Sequence, residues 1–411
     1  MMGRLEAFEL ELEKSPAVFR GGEEVVGRAV LHLRDSMPVR KVVVIAQGLA
    51  CTLYPEMETV KDKTTGRHHS RLTHYGCEEI YFREQWAVAD TAEGSEKDLE
   101  LPAGTNSFGF KFQLPADIPC SFEHKQGFVR YEVRGVIQRP HEVDTVVKTA
   151  FTVHRDLDFK NCEDVEQPAE TRQETMVTTA GCIPSGRVSL SLGLEKTGFV
   201  PGEAVVPLVQ IDNDSNRQVH VTLHLETFIR LHGARTGHQG PGNAELHGSG
   251  LHHVKTVKDE IISVKSPQVV SHTMREWKPV FTIPPLPPSG LPGCKNIDIQ
   301  YKLMAKVHGI GLADNTSAQL DISIGSIPHR GNFRQIVGSQ DDKAVVEGDT
   351  QQLVCKFADY AGGPFDIAGE GEHLVGPHKF TPLYVCYEFP QELRSALSMM
   401  ISPADIKANV A

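Results

Sequence analysis

The sequence predicts an all-β chain of two tandem β-sandwiches followed by an irregular C-terminal tail. Three observations carry that prediction. Apolar and polar residues alternate with a period of two in many short runs, the pattern of half-buried strands. Gly and Pro punctuate those runs, and long amphipathic helical patterns are absent before about residue 330, which favours sandwiches over mixed folds. Finally, one proline-flanked passage at 112–140 is echoed at 281–309.

The elements follow in chain order. Phe8, Leu10 and Leu12 alternate with Glu9, Glu11 and Glu13, a strand with one apolar face. The run "KVVVIAQG" at 41–48 is apolar throughout, as a more central strand requires. In "FGFKFQL", Phe108, Phe110, Phe112 and Leu114 share one face. In "FVRYEVRGVI", Val129, Tyr131, Val133 and Ile137 alternate with Arg130, Glu132 and Arg134, so the charged set is expected on the opposite, solvent side. The polar stretch 156–181 breaks the pattern and reads as a connector. Alternation resumes at Val188, Leu190, Leu192 and Leu194, at Val219, Val221, Leu223 and Leu225, and at Ile297, Ile299, Tyr301, Leu303, Ala305 and Val307. From 329 to 411 periodicity fades, with one short helix expected at 390–400.

The chain is long for one core, since cores rarely grow beyond about 250–300 residues; it has 411. The two halves also open alike. Leu12-Glu13-Lys14 leads to Gly22-Glu23 and a Val-rich strand, and Leu194-Glu195-Lys196 leads to Gly202-Glu203 and another. A glycine there supplies the positive φ of a tight turn. Both halves close with Phe-x-Leu/Ile-Pro, a second Pro, Ser and a strand centred on tyrosine. One sandwich design is used twice, at 1–157 and 183–328, with a linker at 158–182 and a tail at 329–411.

These blocks resemble a known family. "LPAGTNSFGFKFQLPADIPCSFEHKQGFVRYEVRGVI" is similar to the N-domain signature of α-arrestins, the arrestin-domain-containing proteins. "LEKTGFVPGEAVVPLVQIDNDSNRQVHVTLHL" resembles the start of their C-domain, and "ISIGSIPHR" the strand that ends it. The resemblance spans roughly residues 6–330. It implies an arrestin fold of two immunoglobulin-like sandwiches and a non-enzymatic adaptor. Such adaptors select membrane-protein cargo for ubiquitination and endosomal sorting. They recruit HECT-type ubiquitin ligases, whose WW domains bind PPxY motifs in the tail. The alternative of another class is a structural subunit of an endosomal coat, like the arrestin-fold retromer subunit, with no ligase partner.

The one candidate tail motif is Thr381-Pro382-Leu383-Tyr384, which lacks the first proline of Pro-Pro-x-Tyr. Pro382, Leu383 and Tyr384 are therefore the candidate partner-binding residues. WW domains grip pre-extended proline segments in aromatic grooves, so the missing proline predicts a weak ligand anchored on Tyr384. The other reading is a tail segment that docks Phe380, Tyr384 and Tyr387 onto a sandwich.

Other chemistry finds little footing. A net charge of −11 argues against general nucleic-acid binding, which needs a basic face. No apolar run reaches the about 18 residues of a membrane span, and "MMGRLEAFELELEK" has no apolar signal core. The eight cysteines are far apart with no CxxC; with no export signal they read as reduced cytoplasmic thiols. The sequons at Asn213 and Asn315 are then chance matches. Recruitment from the cytoplasm to plasma membrane or endosomes is in keeping with the family. "GCIPSGRV" at 181–188 mimics a phosphate loop but leads into strand-like alternation, whereas a P-loop must open a helix. His220 and His224, four apart on a strand, are about 13 Å apart, too far to share a metal. His68, His69 and His74 lie in a polar insertion. Its stretch "KDKTTGRHHSR" reads as a solvated loop or, alternatively, a basic loop facing anionic lipid or a phosphorylated partner. Cys120 and Cys294, beside the proline turns, read as packing residues. No catalytic constellation, metal site or cofactor is expected.

Overall fold

A computed structural model describes residues 4–62, 64–91, 98–159, 163–179, 183–236, 253–310, 316–328, 335–337, 344–347, 352–369 and 374–389. Two β-sandwiches follow one another, and among the described residues the one helical element is a short 3-10 turn at Glu163–Glu166. In the first sandwich one sheet joins Leu5–Leu12, Glu24–Leu33 and Gly104–Gln113. The facing sheet joins His68–Asp90, Lys41–Lys61, Gly127–Gln138, Thr145–His154 and Val18–Arg20. The second sandwich repeats the plan. Ala169–Thr179, Ile183–Leu194, Leu208–Ser215 and Thr273–Trp277 make one sheet, and His220–Arg235, Ile297–His308, Ser317–Ile324 and Gly198–Phe199 lie in the other. The two larger sheets are joined where Ala234 pairs with Gly76 and Arg235 with Tyr75.

The repeated passage has a repeated geometry. Tyr131 and Tyr301 are both buried. Tyr131 donates its hydroxyl to the Pro119 carbonyl at 2.7 Å, and Tyr301 to that of Pro287 at 2.8 Å. A buried hydroxyl needs such a partner, and the proline turn supplies it. The serine after the turn ties down the last strand: Ser121 Oγ accepts from Val153 N and Ser289 Oγ from Ile324 N, each at 2.9 Å. The opening turns match as well. Gly22 and Gly202 sit at φ of 84° and 93°, and Lys14 and Lys196 bind Glu23 and Glu203 at 2.8 and 2.6 Å. Each lysine lies over the phenylalanine between, Phe19 or Phe199, a cation–π contact.

Two stretches depart from the expected pattern. Residues 158–182, read as a connector, contain the strand Ala169–Thr179, paired with Ile183–Leu194. It is an edge strand whose described side chains are mostly exposed, with Val177 buried, so apolar alternation hardly marks it. The tail, expected to be mostly irregular, contributes Gln352–Asp359 and Leu383–Glu388, an antiparallel pair from Val354↔Glu388 to Asp359↔Leu383. The helix expected at 390–400 lies outside the described residues.

Candidate functional site

The strand Leu383–Glu388 carries buried side chains on both faces. Tyr384 is 1% exposed and belongs to the same apolar cluster as the cores of both sandwiches. Its hydroxyl donates to the Ser121 carbonyl at 2.8 Å, so the serine of the first proline turn holds the tail as well as the last strand. Burial holds the Tyr384 phenol well above its ordinary pKa, so it stays a neutral donor. On the opposite face, Val385 and Tyr387 pack with Val200 and Cys355. Tyr387 donates to the Ser326 carbonyl at 2.7 Å, and its backbone N–H to Pro201 at 2.9 Å. Gly202 is needed there, because a Cβ would run into the Tyr387 carbonyl. Leu383 N–H binds Thr152 Oγ1 at 3.0 Å, and the carbonyl of Pro382, itself buried, accepts from Tyr360 N at 2.9 Å. The tail strand therefore bonds to the first sandwich through Ser121 and Thr152 and to the second through Pro201 and Ser326. Of the two sequence readings, docking of Tyr384 and Tyr387 is the arrangement observed; Phe380 is half-buried and its strand pairs with Phe365–Asp366.

The tail also changes the expected solvent face of the Tyr131 strand. Arg130 and Glu132 are 9% and 4% exposed. Arg130 forks onto Glu123 at 2.7 and 2.8 Å and donates to the Asp366 carbonyl at 3.3 Å. Burial pushes the Glu123 carboxyl up, and the Arg130 guanidinium opposes it. Glu132 accepts from Gln47 at 2.6 Å and faces Lys148 at 3.7 Å. Beside this polar group, Val43, Val136 and Val146 pack against Leu374. Alternation alone placed these charges in water; both are buried, and the tail reaches Arg130 through the Asp366 carbonyl.

A second set of contacts binds sandwich to sandwich. Tyr54 donates to the carbonyls of Leu231 and His253 at 3.2 and 3.1 Å, and its ring lies within 5.8 Å of the His253 ring. Thr52 donates to the His232 carbonyl at 2.6 Å, Lys295 N–H to Glu79 at 2.9 Å, and His124 faces Asp259 at 3.4 Å. Sequence reasoning missed this seam. Its partners lie some 130–220 positions apart, and each residue is ordinary within its own strand.

The remaining candidates disperse. The rings of His220 and His308 stack at 5.0 Å, while His224 binds Glu260 at 2.6 Å. Among the described residues no group of three His, Cys, Asp or Glu could hold a metal ion, and no helix is long and apolar enough to cross a membrane. Cys51, Cys77, Cys120, Cys294, Cys355 and Cys386 are free thiols. Burial pushes Cys51 and Cys120 up to about 12, which suppresses the reactive thiolate. Asn213 is fully buried with its amide donating to the Arg217 carbonyl at 2.7 Å, so that sequon offers no acceptor; Asn315 lies outside the described residues.

Comparison with known proteins decides the family. Residues 8–160 match the domain described as "Arrestin (or S-antigen), N-terminal domain", and 184–329 match "Arrestin (or S-antigen), C-terminal domain". The chain belongs to the arrestin family. Its relatives are arrestin domain-containing proteins, the α-arrestins. It is 26% identical over 334 residues to Arrestin domain-containing protein 17 of Caenorhabditis elegans, covering 80% of this chain and 72% of that protein. It is 28% identical over 328 residues to human Arrestin domain-containing protein 1, covering 79% and 66%. It is 28% identical over 339 residues to mouse Arrestin domain-containing protein 4, covering 81% and 75%. The α-arrestin thus spans about two thirds to three quarters of the length of these relatives. The matched regions take in most strands of the two sandwiches; Ala169–Thr179 falls between them, and the tail strand lies beyond them.

Proposed function

We propose that this α-arrestin is a non-enzymatic adaptor that binds cytosolic segments of membrane proteins and links them to ubiquitination, endocytosis or endosomal sorting. Residues 1–157 and 183–328 are its two domains, and it works from the cytoplasm by recruitment to plasma membrane or endosomes. The observation that supports this most is a pair of arrestin sandwiches whose sheets end in strands with one side unpaired among the described residues. Gly104–Gln113 pairs with Glu24–Leu33 alone, and Thr273–Trp277 with Leu208–Ser215 alone. Such edges take up an extended peptide by main-chain hydrogen bonds. Ligase recruitment through Pro382, Leu383 and Tyr384 belongs to this reading under one condition. The strand must leave its seat before a WW domain can hold Tyr384. The burial of Tyr384 and Tyr387 favours the second reading, a coat subunit or adaptor with no ligase partner.

The test uses the full chain as bait on detergent-solubilised membranes. The adaptor reading expects integral membrane proteins, with a HECT-type ligase in the same eluate. Stoichiometric recovery of soluble coat subunits without membrane proteins would replace it with the coat reading.

A further inference from the structure

The strands Lys41–Lys61 and His68–Asp90 form a hairpin that outruns both sandwiches. Lys41–Lys61 pairs with the Tyr131 strand only as far as Thr52, and His68–Asp90 pairs with His220–Arg235 only at Tyr75 and Gly76. From Glu56↔Thr73 to Lys61↔His68 the two strands pair with each other alone among the described residues. The result is a two-stranded ribbon with two different faces.

One face turns to the second sandwich. Glu56 binds Lys255 and Glu58 binds Arg235, each at 3.1 Å, and Glu58 also accepts from Thr73 at 2.9 Å and from the Tyr75 hydroxyl. The other face carries Met57 and Leu72 as a direct cross-strand pair, 63% and 55% exposed. Beyond them come Thr59↔Ser70 and Lys61↔His68. Among the described residues from 56 to 61 and 68 to 73, no carboxylate shares this face. Glu56 and Glu58 are on the far side, and Asp62 accepts the N–H groups of Thr64 and Thr65 in the tip turn. Between 59 and 74 the sequence sets Lys61, Lys63, Arg67 and Arg71 against Asp62, a net charge of +3 with His neutral, on a chain whose total is −11.

We propose that this face of the ribbon is a contact for anionic lipid: Met57 and Leu72 enter the headgroup boundary of a bilayer while Lys61, Arg67 and His68 lie against its anionic headgroups. Paired exposed apolar side chains beside a basic tip are the composition of interfacial elements, and such a tip is drawn to an anionic leaflet although the whole chain is acidic. A bilayer accepts two bare side chains on a flat ribbon face. A peptide partner needs pockets for its side chains, and this face is two strands wide. The proposal deepens the adaptor reading by naming the surface that touches the membrane. Lipid vesicles contain no cargo, so lipid binding and membrane-protein capture fail separately.

The test is sedimentation of the full chain with vesicles of phosphatidylcholine containing 30% phosphatidylserine, beside vesicles of phosphatidylcholine alone. Binding is expected to the first and not the second, and to weaken with salt. Removing both cations, Lys61→Gln with Arg67→Gln, should lower partitioning about 25-fold, at about fivefold per charge. Met57→Ser with Leu72→Ser should lower it at least about tenfold. Both pairs lie on exposed ribbon, so the melting midpoint should stay at the wild-type value, which separates lost binding from lost folding. No binding to anionic vesicles, equal binding to neutral ones, or binding untouched by both double variants would overturn the proposal. So would capture of a phosphorylated peptide, lost with Lys61 and Arg67, by a chain that ignores vesicles.

Discussion

Replacing Tyr384 separates the docked tail from the free ligase motif. Its ring is almost wholly buried and its hydroxyl reaches Ser121 at 2.8 Å. Truncating a buried aromatic to alanine costs about 3–5 kcal/mol, because transfer and cavity terms add. Tyr384→Phe removes the hydroxyl alone and leaves the Ser121 carbonyl without that donor, at a cost of about 1–3 kcal/mol. With about 2–4 °C per kcal/mol for a chain of this order of size, Tyr384→Ala should lower the melting midpoint by about 6–20 °C and Tyr384→Phe by a few degrees. The same energy gates any WW contact. A peptide of residues 376–392 should bind a WW domain of a HECT-type ligase with a Kd of tens to hundreds of micromolar, about −5 to −6 kcal/mol. The intact chain must first expose Tyr384, so its apparent affinity should be about 150- to 4,000-fold weaker. Thr381→Pro should strengthen the peptide by about 0.4–1 kcal/mol through pre-organisation alone. Calorimetric unfolding of the chain and titration of peptide against chain measure both. An unchanged midpoint in Tyr384→Ala, or a full chain that binds as tightly as its peptide, would refute the docked strand.

Three further outcomes follow from the same geometry. Gly22→Ala should cost about 1–2 kcal/mol of left-handed strain, since its neighbours stand 4.0 Å from a Cβ; Gly202→Ala should cost more, because the same Cβ also strikes the Tyr387 carbonyl. Chemical denaturation of the two variants side by side checks the order, and equal midpoints would count against the seat of the tail strand. Ser121→Ala and Ser289→Ala should each cost about 1–3 kcal/mol by orphaning the N–H of Val153 or Ile324, and an inert variant in the same unfolding assay would mean that the turn is held otherwise. In the native protein at pH 8, iodoacetamide should leave Cys51 and Cys120 unmodified, since burial raises both to about 12 and the thiol form is unreactive; rapid labelling of either, read by mass spectrometry, would contradict their burial.

The doubled design was legible because it is local. Period-two alternation assigns Phe108, Phe110, Phe112 and Leu114 to one face wherever the strand ends up, and Gly22 and Gly202 announce their turns by residue type alone. The paired Pro-Ser-Tyr passages mark the repeat by residue type and spacing alone. Other features were illegible. Ala169–Thr179 is an edge strand with little buried surface, so its sequence resembles a linker. Arg130 and Glu132 read as solvent-facing because alternation reports the strand's own two faces and not what later covers them. The lipid-facing side of the ribbon could not be told from its other side, since Met57 and Glu58 differ in environment only once Arg235 and Lys255 are in place.

The sequence by itself determined the strands, the two sandwiches and the family. Strand periodicity and turn chemistry are properties of neighbouring residues, and they survive any packing. Only the tertiary structure decided where the tail goes and what surrounds Tyr384. Tyr384 bonds to Ser121 and its neighbour Leu383 to Thr152, each partner more than 230 residues away. A four-residue motif reads the same whether it hangs in water or lies between two domains. Burial is a relation between distant parts of the chain, and no local pattern encodes it.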